Sequence, residues 1–326
     1  MTHKNRMKWF VSLIIMVCLS VSAGAQTINE VVEAFNAGAE DANSGNFETA
    51  ITKFEECIEL ATTLGAEGDE MKQKAEQQIP ALHYNLALAS YKAKEYEAAL
   101  EKFEETVAAC DTYGNEELKT KSMKYIPALH YALANKAYKE EDYESSLSHY
   151  DMAIEINPNY LKAYYGKGLV YQKNGDEENM IAAFEKVIEM GTAAGDDKTV
   201  PQASKKLRDH YVIKGVTALK AEDYTDAIGL FNSSLEYDNE YTETYYYLTV
   251  IYNKQEEYDK AVENANAALE YDTSEPDKKA RIYYELGNAY YMLVEYEKAC
   301  EAYKNALHEP FTNSAKHKIE NVLNCQ

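Results

Sequence analysis

One ten-residue figure returns seven times along this chain, and no other feature restricts its fold as much. It reads KEYEAALEKF at 94–103, GNFETAITKF from Gly45, EDYESSLSHY from Glu141 and GDEENMIAAF from Gly175. It returns as EDYTDAIGLF from Glu222, EEYDKAVENA from Glu256 and VEYEKACEAY from Val294. Self-similarity at a period of tens of residues marks a stacked-repeat architecture. Each copy follows a stretch with helical spacing, such as ALHYNLALASYKA, AYYGKGLVYQKN or IYYELGNAYYML. In the last of these, Tyr283, Leu286, Gly287 and Tyr290 fall on one face, and Ala299, Tyr303 and Ala306 do so in the copy that follows. Each unit is therefore expected to be two helices joined by a turn. Gly287 and Ala299 allow close approach, and aromatic rings fill the space around them. One such hairpin cannot bury its own apolar faces, whereas seven in series share a continuous core.

The spacing is uneven. Units are expected near 31–64, 80–113, 127–160, 161–194, 208–241, 242–275 and 280–311, within a repeat region of 26–326. Steps of 34 follow the third and fifth units, steps of 47 to 49 follow the first, second and fourth, and a step of 38 follows the sixth. At the long steps Gly65, Gly114 and Gly195 are placed to close a lengthened second helix. The added segments DEMKQKAEQQI and EELKTKSMKYI put Met71, Ala75 and Ile79, and Leu118, Ser122 and Ile126, on single faces. They predict helical extensions ahead of Pro80 and Pro127, either running on with a kink or breaking there. All six prolines are expected at or before unit boundaries, outside helix interiors, where each costs about 3 kcal/mol. TINE at Thr27 reads as a capping box. NSAKHKIENVL predicts an end helix at 313–324 with Ala315, Ile319, Val322 and Leu323 on one face.

The pattern resembles the tetratricopeptide-repeat family, over nearly all of Val31 to Phe311. The last unit matches through Tyr283, Leu286, Gly287, Tyr290, Ala299 and Tyr303, and the third through Leu133, Ala134, Tyr150, Ala153 and Pro158. The fourth carries Tyr164, Gly168, Tyr171 and Phe184 but has Met180 where a small residue is usual. The first lacks a large residue opening its first helix, and the sixth has Ala265 in place of the aromatic. The resemblance implies an all-α, right-handed superhelical solenoid of about seven hairpins plus a C-terminal capping helix.

The N-terminus has the layout of a secretory signal peptide. Lys4, Arg6 and Lys8 precede an apolar run from Trp9 to Val21, then Ala23-Gly24-Ala25 offers a small-x-small cleavage site. Val17 before Cys18 is too large for a usual lipid-attachment site. Cleavage after Ala25 takes the formal charge from −22 to −25, which repels nucleic acid and anionic lipid. No later segment is apolar enough to span a membrane. Beyond the peptide stand Cys57, Cys110, Cys300 and Cys325, and export makes disulfides accessible. Three pairings exist. The parsing favours 57–110, between second helices of adjacent units, and 300–325, between the last unit and the end helix.

Motifs for catalysis, metal or cofactor are not found. IPALHY occurs at 79–84 and again at 126–131, which raises a two-histidine site. Its histidines, His83 and His130, occupy equivalent places in neighbouring units, about 10 Å apart by helix packing, and are read as packing residues. His149, His210, His308 and His317 have no metal-ligand spacing. In the resembled family the first helices line a concave groove. The resemblance then points Phe35, Tyr84, Tyr131, Tyr165, Val212, Tyr246 and Tyr284 into it, followed by Tyr91, Tyr138 and Tyr291, with Lys92, Lys139, Lys173, Lys220 and Lys254 beside them. Tyrosine offers large contact area at low entropy cost, and lysine steers acidic partners. The basic clamp of chaperone-binding members is not matched at Phe35, Ala39 and Asn43. The expectation is a non-enzymatic scaffold, without cofactor or metal, of the bacterial cell envelope or periplasm, holding a protein or peptide segment. Two alternatives remain: a structural subunit of an outer-membrane assembly, lipid-anchored through Cys18, and a carbohydrate binder or enzyme using the tyrosine-rich groove.

Overall fold

A computed structural model describes residues 27–325; the signal-peptide reading and Cys18 lie outside them. The chain divides into two compact units, the first ending at Leu129 and the second beginning at His130. The first holds α1 (Ile28–Asn43), α2 (Phe47–Leu64), α3 (Asp69–Ala93), α4 (Tyr96–Tyr113) and the opening half of α5 (Glu116–Lys139). The second holds the remainder of α5 and then α6 (Tyr143–Ile156), α7 (Leu161–Asn174), α8 (Glu177–Ala194), α9 (Thr199–Lys220) and α10 (Tyr224–Tyr237). It continues through α11 (Thr242–Lys254), α12 (Tyr258–Tyr271), α13 (Pro276–Met292), α14 (Tyr296–Asn305) and α15 (Thr312–His317). Both units are all-α stacks of helical hairpins, and no strand occurs among the described residues.

The first two residues of the recurring figure lie in the hairpin turn, and the third opens the second helix. The opening residue takes a left-handed backbone: Gly45, Lys94, Glu141, Gly175, Glu222, Glu256 and Val294 all have φ between 61° and 81°. The second residue's N–H reaches back to the first helix, as in Glu95 to Ser90, Asp176 to Tyr171 and Glu295 to Tyr290. This closes the carbonyls left open at a helix end. Where the second residue is aspartate it also caps the next helix: Asp142, Asp176 and Asp223 accept from the N–H of Ser145, Asn179 and Asp226 at 3.0, 3.2 and 3.1 Å.

The figure's last residue is the core. Phe54, Phe103, Tyr150, Phe184, Phe231 and Tyr303 are fully buried. The first helix presents a small residue to each ring. A Cβ on Gly287 would come within 2.7 Å of Tyr303, and one on Gly168 within 2.7 Å of Phe184. The sixth hairpin inverts the sizes: Ala265 stands in the aromatic position and Thr249 in the glycine position, both fully buried.

The long steps come from both partners of a junction. The second helices α2, α4 and α8 have 18 residues, against 14 in α6, α10 and α12. The first helices that follow, α3, α5 and α9, have 25, 24 and 22, against 14 in α7. The extensions ahead of Pro80 and Pro127 are continuous with the first helix. Both prolines therefore lie inside a helix, contrary to the boundary placement read from sequence. Burial explains the tolerance: Ile79 and Pro80 are both buried, so packing along the extension offsets the lost backbone bond. Pro201 and Pro276 fall in first turns, where no N–H partner is missing.

At the C-terminus α15 passes into a π-helical stretch, Lys318–Leu323. The wider turn shifts the register. Ala315 is buried with Ala299, Tyr303 and Ala306, and Ile319 and Leu323 pack against that cluster, but Val322 turns outward at 36% exposure and leaves the expected face. Cys300 and Cys325 form a disulfide with Cα atoms 5.8 Å apart. Cys57 and Cys110 are free and buried, which corrects the 57–110 pairing. Cys57 turns into its own hairpin, its thiol donating to the Val31 carbonyl at 3.5 Å.

Candidate functional site

The aromatic residues expected on the first-helix face are half-buried. All but Tyr246 rest on a second-helix ring of their own hairpin. In the first unit Phe35 meets Phe54 edge-on at 5.3 Å and Tyr84 meets Phe103 at 5.9 Å. Tyr125, at the start of the next first helix, stacks on Phe103 at 4.6 Å and lies edge-on to Tyr91 at 5.2 Å. Burial and a hydrogen bond with Tyr125 push the Tyr84 hydroxyl above its usual range. In the second unit Tyr131 lies 5.9 Å from Tyr150, Tyr165 5.4 Å from Phe184 and Tyr284 5.8 Å from Tyr303. Tyr160 and Phe311 close over Tyr131 and Tyr284. Tyr138 leans on Tyr143 and Tyr291 on Tyr296. Val212 is half-buried against the Phe231 cluster. Tyr246 has no second-helix ring to meet, and the Arg281 guanidinium lies over it at 4.4 Å while Arg281 forks onto the Glu243 carboxylate. These side chains are lids of the core with one edge outward, and Tyr91, at 37% exposure, is the most open of the tyrosines expected on that face.

The five lysines are exposed and share one local cause. Lys92, Lys139, Lys173, Lys220 and Lys254 each sit in the last turn of a first helix. A cation there complements the partial negative charge of the helix end. None of the five has an ion-pair partner among the described residues.

The histidines of the repeated IPALHY diverge. His83 Nδ1 comes within 3.5 Å of the Glu105 carboxylate, and burial still holds its pKa below the usual value. His130 is buried, with its Nδ1 3.1 Å from Nδ1 of His149. Burial, then His149, depress its pKa to about 4. Two imidazoles in contact make a half-set of ligands, and no group of three metal-binding side chains exists among the described residues. No helix among them is long and apolar enough to cross a membrane.

A cleft of about 390 Å³ opens in the second unit between α11, α13 and the π-helical stretch. Its floor is a polar network: Asn253 donates to the Glu285 carbonyl at 3.0 Å and carboxylate at 2.9 Å, and Asn288 donates to the same carboxylate at 3.3 Å. The buried Tyr303 hydroxyl donates to Asn288 Oδ1 at 2.8 Å. Lys254 and Lys318 stand on the rim, the latter 4.8 Å over the Tyr291 ring. Of the residues expected from sequence, the cleft brings together Lys254 and Tyr291. Asn253, Glu285, Asn288 and Lys318 were missed. A signal existed in the asparagine after Leu-Gly in ELGNAYY, which parallels Asn135 in ALANKAY, where the Tyr150 hydroxyl donates to Asn135 at 3.0 Å.

Three family models match the chain: "TPR repeat" over 134–175, and two described as "Tetratricopeptide repeat", over 161–190 and over 214–276 and 251–315. No curated protein sequence matches. Among solved structures, YrrB, described as a TPR protein with an unusual peptide-binding site, is 22% identical, covers 62% of this chain and 97% of its own, and gives a TM-score of 0.34. A tetratricopeptide repeat protein from Parabacteroides merdae is 14% identical, with coverage of 90% and 98% and a TM-score of 0.30. The TPR2AB domain of yeast Sti1, solved as a complex with an HSP90 peptide, is 15% identical, with coverage of 90% and 96% and a TM-score of 0.33. Likenesses of this size leave the assignment to the hairpins and the family models. On the helical hairpins of both units, and on repeat models matching within 134–190 and 214–315, the chain belongs to the tetratricopeptide-repeat family.

Proposed function

We propose that this protein is a non-catalytic scaffold that holds a segment of a partner protein on the faces of its first helices. The observation that carries the reading is the pairing, in four of the seven hairpins, of a half-buried aromatic lid with an unpaired lysine about two turns on: Tyr84 with Lys92, Tyr131 with Lys139, Tyr165 with Lys173 and Tyr246 with Lys254. Rings fixed by the core present rigid apolar edges, and binding them costs little further ordering. The lysines project from a chain of net charge −22 and give acidic segments a place to land. The absence of catalytic motifs in the sequence fits this reading, which also takes the N-terminal 25 residues as a secretory signal and the cell envelope as the place of action.

Site-specific photo-crosslinking in intact cells tests it. A crosslinker at Lys139, Lys173 or Lys254 is expected to trap one protein in common, while the same group at Glu155 or Glu263 on second helices traps none. Equal capture from both faces removes the first-helix reading. Sequencing the purified protein from its N-terminus is expected to begin at Gln26, and a chain that retains Met1 in the cytoplasm removes the envelope assignment. Detergent-dependent extraction would favour the lipid-anchored subunit instead.

A further inference from the structure

The turn between α13 and α14 differs in chemistry from the six before it. At the left-handed position those turns use glycine or a long polar chain: Gly45, Lys94, Glu141, Gly175, Glu222 and Glu256. The last turn uses Val294, at φ 64°. A β-branched residue suits that backbone least, because its substituted Cβ crowds the following carbonyl. Exposure leaves little packing to offset the strain. Val294 is 65% exposed, and on either side Met292 and Tyr296 are 50% and 48% exposed. Strain held at an exposed apolar tip is a mark of a binding element rather than of a folding one.

The elbow is continuous with the cleft. Met292 belongs to both, and Tyr296 lies 6.0 Å from Tyr291, which lines the cleft wall. The two rim lysines, Lys254 and Lys318, have no carboxylate partner among the described residues, whereas Lys260, Lys298 and Lys316 of the last two hairpins and the end segment are paired. The one carboxylate of the cleft, Glu285, is already held by Asn253 and Asn288. An apolar knob thus stands beside two unneutralised ammonium groups in a strongly acidic chain.

We propose that the α13–α14 elbow and the adjoining cleft are a docking surface for an acidic amphipathic segment of a partner protein. Its apolar side chains cover Met292, Val294 and Tyr296, and its carboxylates lie against Lys254 and Lys318. This rests on the scaffold reading and gives it a location and a partner chemistry.

Val294→Asn separates binding from folding, because asparagine tolerates the left-handed backbone. The full-length variant is expected to melt about 2 °C or more above the parent. Fluorescence anisotropy with a short labelled peptide alternating glutamate and leucine should show about tenfold weaker binding. The double variant Lys254→Glu, Lys318→Glu is expected to lose binding by a similar factor with an unchanged melting curve, and a lysine–leucine peptide is expected not to bind. Parental affinity in Val294→Asn, a lowered melting point in that variant, or equal binding of the basic peptide overturns the proposal. So does sedimentation showing that the elbow joins two copies of the chain while the acidic peptide stays free. If the elbow variants bind normally but crosslinks at Lys139 and Lys173 still trap a partner, the elbow fails and the scaffold stands. If no first-helix position traps anything, the scaffold itself fails.

Discussion

The ring that ends each figure and the small residue facing it set the distance between the two helices of a hairpin. Gly287→Ala puts a methyl group within 2.7 Å of the buried Tyr303 ring, so a loss of about 1–3 kcal/mol in urea denaturation is expected. The lids obey the same rule from outside. Tyr84→Ala removes the edge contact on Phe103 and the bond with Tyr125, and about 2 kcal/mol is expected to go with it. Alanine at such lids therefore confounds a binding test with a folding defect, which is why crosslinks at the exposed lysines are the cleaner probe. His130 gives a pH dependence with a definite sign. Burial, then His149, hold its pKa at about 4 in the folded chain, against about 6.5 for an ordinary histidine. The unfolded chain then binds more protons between these values, so the neutral imidazole's stabilising share is complete above 6.5 and is lost as pH falls towards 4. The full span is about 3 kcal/mol. Urea midpoints measured from pH 7 to pH 4.5 should fall more steeply for the parent than for His130→Gln. Parallel curves would show that the pair titrates normally.

Among the elements, the hairpins were the most legible, because the same figure recurs seven times behind a stretch of helical spacing, whereas the left-handed residue and the cap of each turn came from the structure. The count of helices followed from them. The junctions were half legible: the spacing of 47 to 49 residues announced extra length, and Met71, Ala75 and Ile79 announced a helix, but periodicity alone does not say whether a proline ends it. Burial of the extension decided that, and burial is a tertiary property. The tyrosines read as groove residues lie on first helices, and their half-buried state depends on rings such as Tyr125 and Tyr160 arriving from the next hairpin. His130 and His149 meet from different helices, 19 residues apart, and no local spacing signals that. The network of Asn253, Glu285 and Asn288 bridges α11 and α13 in the same way. Pro80 offers a test of the junction argument. Pro80→Ala restores a backbone N–H to the interior of α3 and removes a ring clash, at the loss of a few buried carbons. The chain is expected to gain about 1 kcal/mol in denaturation, while a loss would show that pyrrolidine packing outweighs the missing bond.

For the molecule as a whole, a stack of hairpins is only as stable at its ends as the contacts made there, since each repeat is held by its neighbours. The C-terminal end is thin. The apolar side chains that the last segment brings to the cluster of Ala299, Tyr303 and Ala306 are Ala315, Ile319 and Leu323, and α15 has six residues. Such a helix does not persist alone. The Cys300–Cys325 disulfide compensates by closing a loop with a sequence separation of 25. Constraint of the unfolded chain over that length stabilises the segment by about 3 kcal/mol. The consequence is local: opening the bond should free residues 312–325 long before it melts α1 to α4. Hydrogen exchange followed by mass spectrometry, with and without a dithiol reductant, reads this directly. Reduction, or Cys300→Ser, is expected to raise exchange in 312–325 by about a hundredfold, and to leave 47–113 unchanged. Because Lys318 stands over Tyr291 on the cleft rim, the same treatment should weaken binding of the acidic peptide to the elbow. Protection that survives reduction would mean that the three apolar contacts hold the end by themselves, and that the disulfide contributes nothing to keeping Lys318 in place.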